Sequence, residues 1–150
     1  MKAKYILSGL LMVALVIGGM GYGVAADSGG KVTGGGTFNH AGWPSDYASP
    51  GDKISFGFNG QRLDNGAKGQ FQLINHTSGM KMHGTFSTYN EQGPNVTLDG
   101  SINGTNESFR VRVATGAGWE EIYIWIGDPL PSQPQIYGQV YKGNITRHKK

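Results

Sequence analysis

The chain contains no cysteine among its 150 residues. This absence excludes disulfide bonds, thiol catalysis, iron–sulfur clusters and cysteine zinc sites. Stability must therefore come from a packed core and from hydrogen bonds. Roughly 124 residues follow the N-terminal segment described below, which is enough for one core near the smaller end of domain sizes.

An excess of charge of one sign is also lacking. The chain has 13 Lys and Arg against 10 Asp and Glu, and two of the lysines, Lys2 and Lys4, belong to the N-terminal segment. The remainder is nearly neutral, so nucleic acid is not an expected partner. The only basic run, Arg147–Lys150, is interpreted as a solvated tail.

The first 26 residues have the organisation of a signal peptide. Met1–Lys4 is a short basic start, Tyr5–Val24 is almost continuously apolar, and Ala25-Ala26 offers small residues to a signal peptidase. We expect cleavage after Ala26 and export of residues 27–150 as a single β domain, either secreted or held at the cell surface. The alternative is an uncleaved segment that anchors the chain, because the apolar run approaches the ~20 residues that span a bilayer. It is the only membrane contact that the sequence predicts.

The rest of the chain alternates apolar and polar residues between turns rich in glycine and asparagine. No window after residue 26 shows a sustained helical period. This pattern predicts an all-β fold, an antiparallel sandwich or barrel of about eight or nine short strands. The predicted strands are Lys31–Phe38, Lys53–Asn59, two arms within Gly69–Thr88, Asn95–Asn103, Glu107–Thr115, Glu120–Ile126, Ile136–Tyr141 and Asn144–His148.

The clearest pair of strands flanks Ser78-Gly79, which is interpreted as a two-residue turn. That turn pairs Leu73 with Gly84 and Phe71 with Phe86. Because side chains alternate across a strand, the hairpin then has an apolar and a polar face. The apolar face carries Phe71, Leu73, Met80, Met82 and Phe86, and the polar face carries Gln72, Ile74, His76, Lys81, His83 and Thr85.

The triplet Gly34-Gly35-Gly36 interrupts the first predicted strand. Glycines inside a strand indicate a bulge or the close approach of another backbone. We hypothesise that Lys31–Phe38 pairs with a sheet edge, of this chain or of a neighbouring subunit.

Four motifs occur in order along the chain: Gly34-Gly35-Gly36-Thr37, Phe56-Gly57-Phe58-Asn59, Asn75-His76 with Gly79-Met80-Lys81-Met82-His83, and Gly143-Asn144-Ile145. Together they resemble the small exported β domain found downstream of choice-of-anchor A domains in bacterial surface proteins, and alone in secreted archaeal and bacterial proteins. The resemblance implies an all-β fold in a secreted or cell-surface setting, and it brings no catalytic or binding residues. That family usually shows aspartate before the first histidine, where this chain has Asn75.

Patterns that would indicate catalysis or metal binding are weak. His76 and His83 share the polar face of the hairpin, but a structural zinc site needs four ligands, and Lys81 would repel a cation. Glu120 and Glu121 are adjacent and point to opposite sheet faces, so they do not flank a substrate as a carboxylate pair. We expect no catalytic residue, no metal and no cofactor.

Aromatic residues gather towards the C-terminal third. Tyr123 and Trp125 share one strand face, because the alternating isoleucines at 122, 124 and 126 take the other. Flat rings displayed on a sheet stack on sugars, contact a partner protein or cover a core. Four further rings could join them: Tyr137, Tyr141, Trp119 and Trp43. The candidate ligand-binding residues are Tyr123, Trp125 and Tyr137.

Five asparagines precede x-Ser/Thr, all of them at predicted turns or strand ends. Asn75 faces the apolar side of the hairpin and is the weakest acceptor of the five. The candidates for N-glycosylation are Asn95, Asn103, Asn106 and Asn144.

The sequence therefore predicts a non-catalytic β domain with a structural, adhesive or interaction role in the cell envelope. Its expected partners are envelope proteins or further copies of itself. The alternative is a carbohydrate-binding module that presents its aromatic strand face to a polysaccharide. A hydrolytic enzyme with an unrecognised site is the third reading.

Overall fold

The computed structural model describes residues 27–116 and 119–148. Its strands are β1 (Asp27–Asn39), β2 (Lys53–Leu63), β3 (Gly66–Asn75), β4 (Lys81–Gln92), β5 (Asn95–Ile102), β6 (Ser108–Gly116), β7 (Trp119–Ile126) and β8 (Ile136–His148). Each strand pairs antiparallel with the next along the chain, and β8 pairs with β1 to close a barrel. The expected all-β antiparallel fold is confirmed, with a barrel as its architecture. The predicted signal peptide, residues 1–26, lies outside the described residues. Within these ranges, no helix is long and apolar enough to cross a membrane.

Apolar side chains fill the interior of the barrel. A barrel of eight strands is just wide enough for its own side chains to pack along the axis. Phe71, Phe86 and Phe109 meet in its middle, with ring centroids 5.5 to 6.3 Å apart. The fully buried positions also include Val32, Phe38, Ile54, Leu73, Val96, Leu98, Val111, Val113, Ile122, Ile124 and Ile136.

Glycines face this aromatic core where a larger residue would not fit. A Cβ atom at Gly34 would lie 2.6 Å from the Phe58 ring, and one at Gly84 would overlap the ring of Phe109. At Gly36 a Cβ atom would overlap the backbone carbonyl oxygen of Lys142, so the close approach of another backbone that was predicted for the glycine triplet is confirmed. The sheet edges that β1 pairs with belong to its own chain, since Gly34 lies opposite Phe58 of β2 and Ile145 of β8.

The register between β3 and β4 differs from the predicted one by two residues. Leu73 pairs with Met82 and Phe71 pairs with Gly84, so the two-residue turn at Ser78-Gly79 is wrong. The connection spans residues 76–80, and Asn75 builds it, because its Oδ1 accepts hydrogen bonds from the backbone N–H groups of the two residues at 77 and 78. A shift of two leaves every side chain on its predicted face, since the alternation has a period of two.

The two ends of the barrel are connected differently. At one end, which we call the turn end, residues 64–65 and 93–94 form two-residue connections. At the other end, which we call the loop end, the connections are residues 40–52, 76–80, 103–107 and 127–135.

The longest connection, residues 40–52, folds back over the loop end. Ala48 is buried and Tyr47 packs against the core. Asn75, wholly buried at the end of β3, ties the loop down, because its Nδ2 donates to the carbonyl oxygen of Tyr47 at 3.1 Å and to the carboxylate of Asp52 at 2.9 Å. The backbone N–H of Ser49 also donates to that carboxylate at 2.9 Å. These bonds, with that from Asn75 as the largest cause, lower the pKa of Asp52.

A charged cluster closes the turn end. Arg147 of β8 contacts Glu91 of β4 at 2.7 Å and donates to the carbonyl oxygen of Gly93 at 2.6 Å. The hydroxyl of Tyr89 donates to the other carboxylate oxygen of Glu91 at 2.6 Å. The guanidinium of Arg62 lies over the Tyr89 ring, 5.1 Å from its centroid. The side chains that seal this end therefore come from the strands themselves.

The predicted solvated tail is wrong for its first two residues. Arg147 belongs to the charged cluster, and His148 is hydrogen-bonded through Nε2 to Oγ1 of Thr33 at 3.0 Å. Both lie on β8, which must pair with β1 to close the barrel. Residues 149–150 lie outside the described residues.

Candidate ligand-binding surface

An aromatic strip, formed by Tyr123, Trp125 and Tyr137, crosses the outer wall of the barrel. Tyr123 and Trp125 point outward because the alternating isoleucines of β7 fill the interior. Tyr137 of β8 lies directly opposite Tyr123 in the register. The ring centroid of Tyr123 is 6.4 Å from that of Trp125 and 5.7 Å from that of Tyr137, with the two tyrosine rings stacked. The structure thus brings the three predicted residues together.

Arg112 of β6 extends this strip on the other side of Tyr123. It lies opposite Tyr123 in the register, and its guanidinium carbon is 4.8 Å from the Tyr123 centroid and 5.3 Å from the Trp125 centroid. A cation over a ring face is attracted by the ring quadrupole. Because Tyr137 and Arg112 flank Tyr123 from opposite sides, the Tyr123 ring is engaged within the protein. Trp125 and Tyr137 stand at the two ends of this row, and both are half-buried.

Polar groups border the rings. The hydroxyl of Tyr123 donates to Oε1 of Glu121 at 2.9 Å, and burial together with this bond raises the pKa of Tyr123. Next to Trp125, Arg110 forms a two-pronged ion pair with Asp99, with nitrogen–oxygen distances of 2.7 and 3.0 Å. The strip is therefore an apolar row with fixed hydrogen-bonding groups on its edges.

Buried His40 supports the loop-end side of the strip. Its Nδ1 accepts a hydrogen bond from the backbone N–H of Tyr137 at 3.2 Å, and its Nε2 donates to the carbonyl oxygen of Trp43 at 3.0 Å. The ring of His40 meets that of Tyr137 edge-on at 5.6 Å, and Gly42 lies so close to Tyr137 that a Cβ atom would overlap the ring. The sequence contained no signal for this role, because the contact joins residues 97 positions apart.

Trp43 is an exposed ring on the long loop, one residue after a glycine that contacts the strip. Its neighbour Gly42 packs on Tyr137, while the Trp43 side chain itself is 86% exposed. We call Trp43 together with the aromatic strip the extended aromatic surface. Trp119 and Tyr141, 51% and 58% exposed, lie on the same strands towards the turn end, beyond Glu121.

The two histidines of the hairpin have separate surroundings. His76 is hydrogen-bonded through Nε2 to Oγ of Ser55 at 2.7 Å, whereas His83 lies opposite Gln72 on the neighbouring strand. Burial, followed by the charge of Lys81, lowers the pKa of His83. Across the part of the chain that the structure describes, no three His, Asp or Glu side chains converge in a way that could hold a metal ion.

The sequon asparagines differ in exposure. The side chain of Asn75 is wholly buried and holds the loop-end network, in keeping with its low ranking as an acceptor. Asn103, Asn106 and Asn144 are exposed and Asn95 is half-buried. Glycosylation of these four stays a prediction.

No protein-family model matches the chain, and neither a curated protein nor a solved structure matches it. Function therefore has to be inferred from the geometry alone.

Proposed function

We propose that this protein is a non-catalytic, exported β domain that binds partners in the cell envelope through its extended aromatic surface. The observation that carries this proposal is the exposure of Trp43, which is 86% exposed on a loop whose preceding residue, Gly42, packs on Tyr137. Soluble monomers keep exposed apolar patches small, and a larger patch with a polar border is typical of an interaction site.

The barrel is suited to presenting a surface rather than enclosing a ligand. Its interior is occupied by buried apolar side chains, so a partner must bind outside. The strip stands on three neighbouring strands, whose pairing fixes the positions of Arg112, Tyr123 and Tyr137. A preorganised surface loses little conformational entropy on binding, which favours affinity.

The expected partner is an envelope protein or a second copy of this chain. Aromatic residues and arginine are enriched at the energetic centres of protein interfaces, and the surface combines Trp43 and Trp125 with Arg112. The signal peptide and the resemblance to exported surface domains motivate the setting. The role is then structural or adhesive.

Retention of the purified protein on cell envelopes tests the proposal. Trp43→Ala and Trp125→Ala are each expected to lower retention by about tenfold or more, the effect of removing an interface hot spot. Trp119→Ala is the matched control, because this exposed ring lies at the other end of β7, and it should leave retention unchanged. Equal retention of all three variants and the original protein would contradict the proposal.

A carbohydrate ligand is the second candidate, and one observation favours it. Trp125 and Tyr137 end a row of three rings whose edges carry fixed polar groups, Glu121 and Arg112 among them. Rings with a few placed hydrogen-bonding groups are common in small-molecule sites. Binding to an insoluble polysaccharide that Trp125→Ala abolishes and protease treatment of the envelope leaves intact would favour this candidate over a protein partner.

A further inference from the structure

Arg112 is held against the aromatic strip by its rings alone. It is half-buried, and its guanidinium carbon lies 4.8 Å from the Tyr123 centroid and 5.3 Å from that of Trp125. Its Nε atom is buried and has no hydrogen-bond partner within residues 27–116 and 119–148. The ion pairs in these ranges join other arginines to their acids. Since charges that are removed from water are normally paired, this guanidinium is a candidate anion-binding group.

The two acidic side chains that flank Arg112 on the sheet are engaged elsewhere. Asp99 receives both hydrogen bonds of the ion pair with Arg110, its register partner on β6. Glu121, on β7, accepts the hydroxyl of Tyr123 at 2.9 Å. Each acid lies two residues along its strand from the residue opposite Arg112, which is a distance of roughly 7 Å. An acid that pairs with Arg112 must therefore come from a partner.

The stacked position of Arg112 leaves its hydrogen-bond donors available. The rings contact the guanidinium from its face, as the distances to the two centroids show. The five N–H donors of an arginine lie in the plane of the guanidinium and form a fork that fits a carboxylate with two parallel hydrogen bonds. A guanidinium stacked on rings and bound in its plane by a carboxylate uses both properties at once.

We propose that Arg112 is the anchor for one Asp or Glu side chain of the protein that binds the extended aromatic surface, so this inference rests on the proposed function. The partner's carboxylate accepts hydrogen bonds from the guanidinium, and apolar side chains beside it contact Trp125 and Tyr137. Because the rings shield Arg112 from part of the water, its attraction for a carboxylate is stronger than that of a fully solvated arginine.

The surrounding charges favour a single carboxylate over a polyanion. Arg110 is neutralised by Asp99, which leaves Arg112 as the cation of this surface that has no acidic partner in the described ranges. Glu121 stands on the other side of Arg112 and forms no ion pair there. A polymer with an acid on every unit would bring further negative charges towards Glu121, and such like-charge contacts cost affinity. An isolated acidic residue in a protein avoids them.

Retention on cell envelopes with intact and with blocked carboxylates tests this assignment. Amidation with a carbodiimide and ethanolamine removes the negative charge of envelope carboxylates. We expect it to lower retention of the original protein by about tenfold or more. Arg112→Gln should show a similar loss on untreated envelopes and no further loss on amidated ones. Arg112→Lys, which keeps the charge without the fork, should lie between the two.

Arg62→Gln is the matched control. It removes the same charge and an arginine that also stacks on a tyrosine, 5.1 Å from the Tyr89 centroid at the turn end. Retention of this variant should equal that of the original protein. A loss as large as that of Arg112→Gln would mean that net charge, rather than a specific ion pair, governs retention, and would overturn the proposal.

Protease digestion of the envelopes identifies the source of the carboxylate. Retention should be lost after digestion, because the acid belongs to a protein. Retention that survives digestion and still falls on amidation would assign the carboxylate to an acidic polysaccharide and overturn the proposal. Equal retention on amidated and untreated envelopes would overturn it as well, and this result does not depend on how well any variant folds.

The failure of this inference can be distinguished from that of the proposed function. If Trp43→Ala and Trp125→Ala lower retention while Arg112→Gln does not, the surface binds its partner without this ion pair, and only the role of Arg112 is wrong. If none of the three variants lowers retention, the proposed function fails and the role of Arg112 fails with it.

Discussion

The two ends of the barrel are closed by different interactions. At the loop end, residues 40–52 cover the opening, and a buried amide, Asn75, holds them. At the turn end no comparable connection is present among the described residues, and the ion pair between Arg147 and Glu91 closes the opening. The comparison teaches that one buried amide can hold a long loop through backbone groups and a single carboxylate, whereas the turn end uses an ion pair between two strands.

The hydrogen bonds of Asn75 and the ion pair between Arg147 and Glu91 should differ in how much free energy of unfolding is lost when each is removed. Removing the buried Asn75 amide leaves several polar groups without partners in a site closed to water, and each unsatisfied group costs about 1–3 kcal/mol. The ion pair is partly exposed, with side-chain exposures of 19% for Arg147 and 27% for Glu91. Water can therefore replace some of its bonds.

The largest effect is expected from Asn75→Ala. The change removes two donated and two accepted hydrogen bonds, and it should lower the free energy of unfolding by about 3–5 kcal/mol. Urea denaturation measures this loss. Asn90→Ala, at an exposed position of β4, is the matched control and should change stability by less than about 0.5 kcal/mol. A loss of similar size in Asn75→Ala and Asn90→Ala would mean that the hydrogen bonds of Asn75 do not account for the stability of the loop end.

Arg147→Met is expected to cost about 2 kcal/mol, because it removes the bonds to Glu91 and Gly93 while keeping the apolar stem. Lys142→Met on the outside of β8 is the control and should be nearly neutral. A solvated tail would predict no loss for either variant, so the same denaturation series also checks the corrected position of Arg147. A cost above that of Asn75→Ala would reverse the order of the two ends.

The alternation of apolar and polar residues was sufficient to predict most of the strands and their inner faces, because that pattern is local. The last two predicted strands, Ile136–Tyr141 and Asn144–His148, are one strand, β8. Closure into a barrel was not predictable, since the pairing of Val32 with Arg147 joins opposite ends of the chain. Arg147 looked like part of a tail because its partner, Glu91, is 56 residues away. The β3–β4 turn was misassigned because the side chain of Asn75, rather than the backbone of Ser78-Gly79, determines its length.

The candidate ligand-binding surface could likewise be predicted only where its residues lie close together along the chain. Tyr123 and Trp125 share a strand, so their common face could be predicted from spacing. Tyr137 joins them only through the register between β7 and β8. The support from His40 depends on a contact between the β1–β2 loop and β8, which no local pattern records.

The identity of residue 75 also follows from the loop-end network. Asn75 Nδ2 donates to the carboxylate of Asp52, whereas an aspartate would set a second carboxylate against it. The aspartate usual in the resembling family is therefore incompatible with this network when both groups are charged.

The acid response of the two ends should be similar in sign. Hydrogen bonds from Asn75 and Ser49 lower the pKa of Asp52, and the hydrogen bond from Tyr89, followed by that from Arg147, lowers the pKa of Glu91. A carboxylate with a lowered pKa stabilises the fold above its ordinary value, here 3.8 and 4.5, and this contribution is lost as the pH falls through the folded value. We expect the contribution of these two carboxylates to be constant from neutral pH down to about 5 and to decline below it.

Glu91→Gln distinguishes the contribution of the turn end to that pH profile from the contribution of the loop end. The variant removes the carboxylate of the charged cluster, so its stability should be lower near neutral pH and should decline less between about pH 5 and 3. Urea midpoints measured across this range give the slope. An unchanged slope would assign the acid sensitivity to Asp52 and the loop end alone.

Of the substitutions at the two ends, Tyr89→Phe is expected to have the smallest effect on the free energy of unfolding. It removes one hydrogen bond to Glu91, which keeps its ion pair with Arg147, and it leaves the ring under the guanidinium of Arg62. The expected cost is about 1 kcal/mol, because the remaining carboxylate oxygen is near enough to the surface for water to reach it. Asn75→Ala has no such replacement, since Asn75 is wholly buried. If Tyr89→Phe lowers the free energy of unfolding as much as Asn75→Ala does, water reaches the charged cluster no better than it reaches the loop-end network. Exposure to water then does not explain the difference between the two ends.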